Sequence, residues 1–221
     1  MTLTRLERQK RLRHRINLYL DGAYAFSILE ETAIRAGLRV GDTFDERSLE
    51  ELRSSAESDM AREKALALLQ RRPHSSRELQ QKLRGRKFSA EAITSAIERL
   101  VASGLVSDEA FARAFTHDAL LRRPSGRIVL EQALRAKGVR GELARDIVRE
   151  SLDGPREQEF AILAARKAAR RRSGRSVGVD QQREILRVTR LLVRRGFSWP
   201  AVRTAINHVF GTDVHEPEGG I

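Results

Sequence analysis

The residues in this chain best equipped for a chemical task are its arginines and lysines, and the chemistry they offer is the neutralisation of anions. Arg170-Arg171-Arg172 is followed by Ser173-Gly174-Arg175, and Arg122-Arg123 stands directly before Pro124. A more widely spaced set, Arg84 and Arg86, Lys137, and Arg195, falls in basic turns that each follow an apolar-periodic stretch. Guanidinium and ammonium groups held close together bind phosphate or carboxylate, and a run of them can follow a polyanion. Cations at helix C-termini also complement the helix macrodipole by up to about 1 kcal/mol, which requires no ligand. That second account suits one basic residue per turn better than a run of three.

Other chemistry finds little support. The five histidines, His14, His74, His117, His208 and His215, are scattered. The one acidic neighbour on a helical stretch is Asp118 beside His117, and adjacent helical residues do not face one another. Gly174-Arg175-Ser176-Val177-Gly178 lacks the Gly-Lys-Ser/Thr ending and the preceding strand of a phosphate loop, and reads as a flexible linker. Asp108-Glu109 and Glu30-Glu31 fall at helix starts, where carboxylates complement the dipole. The chain has no cysteine, which excludes thiolate nucleophiles, disulfides and cysteine-ligated metals. No catalytic or metal-binding set stands out, so neither an enzyme nor a cofactor is expected.

Lys and Arg number 42 against 30 Asp and Glu, a formal charge of +12, so the expected partner is a polyanion or an acidic protein surface. Aromatic residues make up 5% of the chain, so base stacking is not expected to dominate binding. The first ten residues are polar and charged, and no apolar run approaches the roughly 18 residues of a membrane span. A soluble, unexported, cytoplasmic protein is the expectation.

Helices must position these cations. After a basic lead-in, Ile16 to Leu20 and Tyr24 to Ile28 alternate about Asp21-Gly22, which predicts a β-hairpin over 16–28. Short helices follow, over Leu29 to Ala36 and over Asp45 to Ser54. From Met60 onward, turn signals alternate with stripes of helical period. Ala61 to Arg71 ends before Pro73, Ser75-Ser76-Arg77-Glu78 is a capping box, and Ser89 caps a third helix. A second trio opens at Ser107-Asp108-Glu109 and breaks at Pro124-Ser125-Gly126, and Pro155 opens a third.

The trios align. Leu83 to Phe88, Leu134 to Val139 and Leu192 to Phe197 each run from an apolar residue through a basic turn to another apolar residue. Nine residues further on stand Ile97, Val148 and Ile206. Arg86, Lys137 and Arg195 occupy the same place in this register, and tandem units of this kind stack as an elongated array. The third helices carry few residues suited to base edges, which disfavours sequence-specific readout.

Ser76-Arg77-Glu78-Leu79 with Lys82-Leu83, then Gly104 to Ala112, then Gly126 with Leu134 to Val139, resemble the RecX family pattern in order and spacing. Asn17 to Gly22 and Tyr24-Ala25-Phe26 resemble the N-terminal extension of a subset of that family. The resemblance implies a mainly α fold, a curved array of three-helix repeats, and no cofactor. Expected segments are an extension over 1–59, repeats over 60–105, 106–154 and 155–211, and a disordered tail over 212–221. The resemblance also implies a monomer that lodges on the RecA filament on single-stranded DNA and limits filament growth, ATP hydrolysis and strand exchange. Non-specific binding to single- or double-stranded DNA without RecA is the alternative, and no membrane partner is expected.

Overall fold

The computed structural model describes residues 1–170 and 180–214 and divides the chain into two compact units, Met1–Ser107 and Asp108–Ile221. In the first, β1 (Leu3–Arg8), β2 (Arg15–Leu20) and β3 (Ala23–Leu29) form an antiparallel sheet in the order β1-β2-β3. The Asp-Gly turn is where the sequence places it, with φ of 48° at Asp21 and 83° at Gly22, as a type I′ turn requires. The strand β1 is not legible beforehand. Thr4-Arg5-Leu6-Glu7-Arg8 carries one apolar residue and reads as a solvated basic segment, and pairing with β2 is what extends it.

One face of the sheet, with Leu3, Leu18, Leu20 and Ile28 buried, packs on α1 (Glu30–Arg35) and the first half of α2 (Glu46–Leu69). The helix α2 runs for 24 residues without interruption, where the sequence suggests one helix ending at Ser54 and another starting at Ala61. The expected boundary at residue 59 therefore falls inside a helix. Ser54 to Asp59 looks like a break because it lacks an apolar stripe, yet Ala56, Ser58 and Asp59 are all buried. Small or partnered side chains replace the stripe: Ser58 Oγ donates to Ser95 Oγ at 2.9 Å. The second half of α2 packs with α3 (Ser76–Arg84) and α4 (Ala90–Ala102) around Leu79, Leu83, Ile93, Ile97 and Leu100. Ser75 and Ser89 cap α3 and α4, accepting from the backbone N–H of Glu78 at 3.1 Å and of Ala92 at 3.3 Å.

In the second unit α5 (Asp108–Arg122), α6 (Arg127–Ala136) and α7 (Gly141–Ser151) enclose Leu130, Leu134, Val139, Ile147 and Val148. There α8 (Gly154–Arg170), α9 (Asp180–Arg194) and α10 (Trp199–Phe210) enclose Ala161, Ala165, Leu192, Phe197, Val202 and Ile206. The register read from sequence has a physical origin at the end of each middle helix. Lys87, Gly138 and Gly196, one residue before the aligned Phe88, Val139 and Phe197, are all left-handed, with φ of 65°, 89° and 76°. The Val139 N–H returns to the Leu134 carbonyl at 3.1 Å, and that of Phe197 to Leu192 at 3.3 Å. This is a Schellman closure, whose hydrophobic contact pairs the aligned leucine with the apolar residue five positions on.

The tail expected to be disordered from residue 212 is still packed at Val214, which lies against the third repeat's core. Asp213 holds Arg203 through two bonds of 2.7 and 2.6 Å, a partnership that its position near the terminus concealed. The linker expected over Gly174 to Gly178 lies outside the described residues.

Candidate nucleic-acid interface

In the first unit Arg84 ends α3, and Arg86 follows Gly85 in the α3–α4 turn. Both side chains are exposed and neither has a carboxylate partner among the described residues. Arg72, one turn earlier in the chain, is by contrast engaged by Glu78 at 3.0 Å. A groove of about 860 Å³ between α2 and α4 is lined by Glu46, Glu50, Glu51 and Glu91 against Arg47 and Arg99. Its predominance of carboxylates is the wrong sign for phosphate.

In the second unit Arg122 is the last residue of α5 and Arg123 follows it, both exposed and both without a carboxylate partner among the described residues. Lys137 is the C-cap of α6 and half-buried. Arg195 follows α9 and is also half-buried. Its backbone carbonyl accepts the Gly126 N–H at 2.8 Å, and the Gly196 carbonyl accepts that of Ile128 at 3.2 Å. These bonds draw the α9–α10 turn onto the α5–α6 loop, so Arg195 neighbours the loop that bears Arg122 and Arg123. Lys137 does not join them, because it stands at the far end of the ten-residue α6, about 15 Å along its axis. Arg170 is the exposed last residue of α8. Arg171, Arg172 and Arg175 lie outside the described residues.

Arg113, Arg187 and Arg203 define the opposite case. Their charged forms are favoured, with pKa raised from the ordinary arginine value, by hydrogen bonds they donate to Glu150, Glu184 and Asp213 respectively, so these cations are already occupied.

Sequence reasoning missed the buried and half-buried carboxylates that hold the third helices in place. Glu57 of α2 accepts from the backbone N–H and the hydroxyl of Ser89 at 2.8 and 2.7 Å. Glu157 of α8 does the same for Ser198 at 3.1 and 2.8 Å. Glu157 also receives the Arg127 N–H at 3.3 Å, which ties α8 to α6. Asp59, 1% exposed, accepts from Thr32 at 2.7 Å, from Arg99 at 2.6 Å and from Arg35. Burial raises its pKa, and the Thr32, Arg35 and Arg99 donors together outweigh that to hold it below the usual carboxylate range. The available signal was a glutamate on the first helix of the repeat, 32 residues before Ser89 and 41 before Ser198, visible once the caps are known.

Family models match in three places: the N-terminal domain of regulatory protein RecX at residues 1–45, the first RecX three-helix domain at 61–100, and the second at 107–147. The chain is similar to the regulatory protein RecX of Clostridium botulinum, 28% identical over 97% of this chain and 99% of that one. It is also similar to the RecX of Chlorobaculum tepidum, 33% identical over 67% of this chain and 88% of the relative. A crystal structure of regulatory protein RecX superposes with a TM-score of 0.72 at 23% identity, over 95% of this chain and 98% of that one. That of RecX from Lactobacillus salivarius does so with a TM-score of 0.62 at 22% identity, over 70% of this chain and 97% of that one. Sheet, repeats and sequence agree, and the chain belongs to the RecX family of regulatory proteins.

Proposed function

We propose that this protein binds the RecA recombinase filament on single-stranded DNA and limits filament growth, ATP hydrolysis and strand exchange, acting by contact and without a reaction of its own. The observation that carries the reading is the recurrence of a cation at the close of each middle helix, Arg86, Lys137 and Arg195, each directly before a left-handed residue. Cations at equivalent turns of successive repeats are suited to meet a periodic polyanion or filament surface. Exposed Arg84, Arg122 and Arg123 add cationic charge with no carboxylate partner among the described residues to neutralise it. Membership of a family of regulatory proteins supports a role exerted by contact.

The test measures RecA ATPase and strand exchange with the parent protein and with a variant carrying Arg86→Ala, Lys137→Ala and Arg195→Ala. The triple variant is expected to lose most inhibition while still unfolding cooperatively, since Arg86 is exposed and Lys137 and Arg195 are half-buried outside the apolar cores. Undiminished inhibition by a folded triple variant would leave these cations with their dipole role alone. The unpaired arginines also favour a second reading, non-specific DNA binding without RecA. Tight binding of bare DNA, together with no effect on the filament, would select it.

A further inference from the structure

The outward face of the N-terminal sheet collects side chains of a kind that the sequence as a whole is poor in. One face of that sheet is closed by α1 and α2. The other bears Arg5, Glu7, Asn17, Tyr19, Tyr24 and Ser27, in cross-strand register. Tyr19 and Tyr24 are the only two tyrosines in the chain. Their rings meet edge to face with centroids 5.9 Å apart, and neither ring belongs to the apolar core beneath. Tyr24 is 58% exposed. The Arg5 guanidinium lies over the Tyr19 ring at 3.7 Å.

Hydrogen bonds fix this arrangement. The Tyr19 hydroxyl donates to Glu7 at 3.0 Å, and those of Tyr24 and Ser27 meet at 3.0 Å. Asn17 Oδ1 accepts from Gln9 and from Ser27, each at 2.7 Å. Glu7 is the one carboxylate on the face, and Arg5 lies 3.6 Å from it. The β1–β2 loop, which joins β2 roughly 13 Å from Tyr19 at strand rise, supplies exposed Lys10, Arg11 and Arg13. Such a face has no role in the core, and fixed aromatic rings with polar edges beside a basic loop are the chemistry that holds unpaired bases and their phosphates.

We propose that this sheet face is a stacking platform for the bases of single-stranded nucleic acid, with phosphates of the same strand against Lys10, Arg11 and Arg13. Tyr24 and the Arg5–Tyr19 pair supply the stacking surfaces, and Asn17, Gln9 and Ser27 the polar edge. The proposal goes beyond the recombinase reading and does not depend on it, because it requires no filament. It also departs from the expectation drawn from composition. Few aromatics spread over a surface make no platform, whereas two placed side by side with a stacked arginine do.

The test uses the full chain without recombinase. Fluorescence anisotropy compares an oligothymidylate with an abasic strand of equal length and charge, over a range of salt. The parent is expected to prefer the thymidine strand by about tenfold, the scale of one base stack. Tyr24→Ala should remove that preference and leave abasic binding unchanged, and Tyr24→Phe should retain it. Arg11→Ala with Arg13→Ala should flatten the salt dependence for both strands. Equal binding of the two strands by the parent, or an undiminished preference in a folded Tyr24→Ala protein, would overturn the platform. Neither result bears on filament inhibition, which is read with recombinase present.

Discussion

Replacing Gly126 by alanine tests whether the second and third repeats are joined backbone to backbone. A Cβ at Gly126 would lie 2.1 Å from the carbonyl carbon and oxygen of Gly196 and from the nitrogen of Phe197. The backbone at Gly126, with φ of −85° and ψ of 173°, is open to any residue, so the obstacle is purely steric. Non-bonded carbon atoms settle at about 3.5 to 4.0 Å, so the α9–α10 turn would have to withdraw by more than about 1 Å. Withdrawal strips the Gly126 to Arg195 and Ile128 to Gly196 hydrogen bonds. A buried backbone group left unpaired costs about 1 to 3 kcal/mol, so the expected loss is about 3 kcal/mol. Urea unfolding followed by circular dichroism measures it as a lowered midpoint. Gly154→Ala is the control, since nothing lies within 4 Å of a Cβ there, and it should stay within about 0.5 kcal/mol of the parent. If Gly126→Ala unfolds at the parent's midpoint with the parent's slope, the seam contributes nothing and the repeats are held by their side chains alone.

Asp59→Asn should destabilise the first unit by about 2 kcal/mol, below the cost of breaking a fully buried pair because Arg35 and Arg99 are half-exposed. Its depressed pKa means that the stabilisation is complete above the unfolded value near 3.9 and is lost as pH falls through the lower folded value. The Asn variant should therefore show a flatter acid-unfolding curve, and identical curves would remove Asp59 from the account. His74 is 4% exposed, and burial holds its pKa below 6.5, with Arg72 and Lys82 acting in the same direction and the Glu78 hydrogen bond opposing. Neutral His74 thus stabilises the fold above pH 6.5, and stability falls as pH drops through the depressed value, by at most about 1.4 kcal/mol per pH unit for one proton. His74→Gln should flatten that segment of the denaturation-midpoint profile, and an unchanged slope would assign it to other groups.

What was legible in the sequence followed rules that act over a few residues. Asp21-Gly22, the Ser75 and Ser89 caps and the Leu134 to Val139 turn each carry their geometry in adjacent side chains. The continuity of α2 was hidden because its middle is buried by Ala56, Ser58 and Asp59, whose partners Thr32, Ser95 and Arg99 lie far off in the chain. The strand β1 was hidden for the same reason, since a polar segment becomes a strand only when β2 offers it a ladder. For the candidate site, the register of Arg86, Lys137 and Arg195 was visible as spacing. That Arg195 adjoins the Arg122-Arg123 loop while Lys137 stands apart depends on the Gly126–Gly196 approach, which spacing cannot encode.

The uninterrupted α2 is a rod about 36 Å long with two tenants. Leu49, Leu52 and Ala56 serve the sheet, and Ala61 and Ala65 serve the first repeat. No joint separates these two cores, so a load placed on the sheet is delivered to α3 and α4 as a lever delivers it, by rotation of the whole. A gene fragment beginning at residue 60 would cut this lever at mid-span. It would also discard Glu57 and Asp59, the fixings to which Ser89 and Arg99 of α4 are fastened, so the first repeat would start life without the anchors of its own third helix.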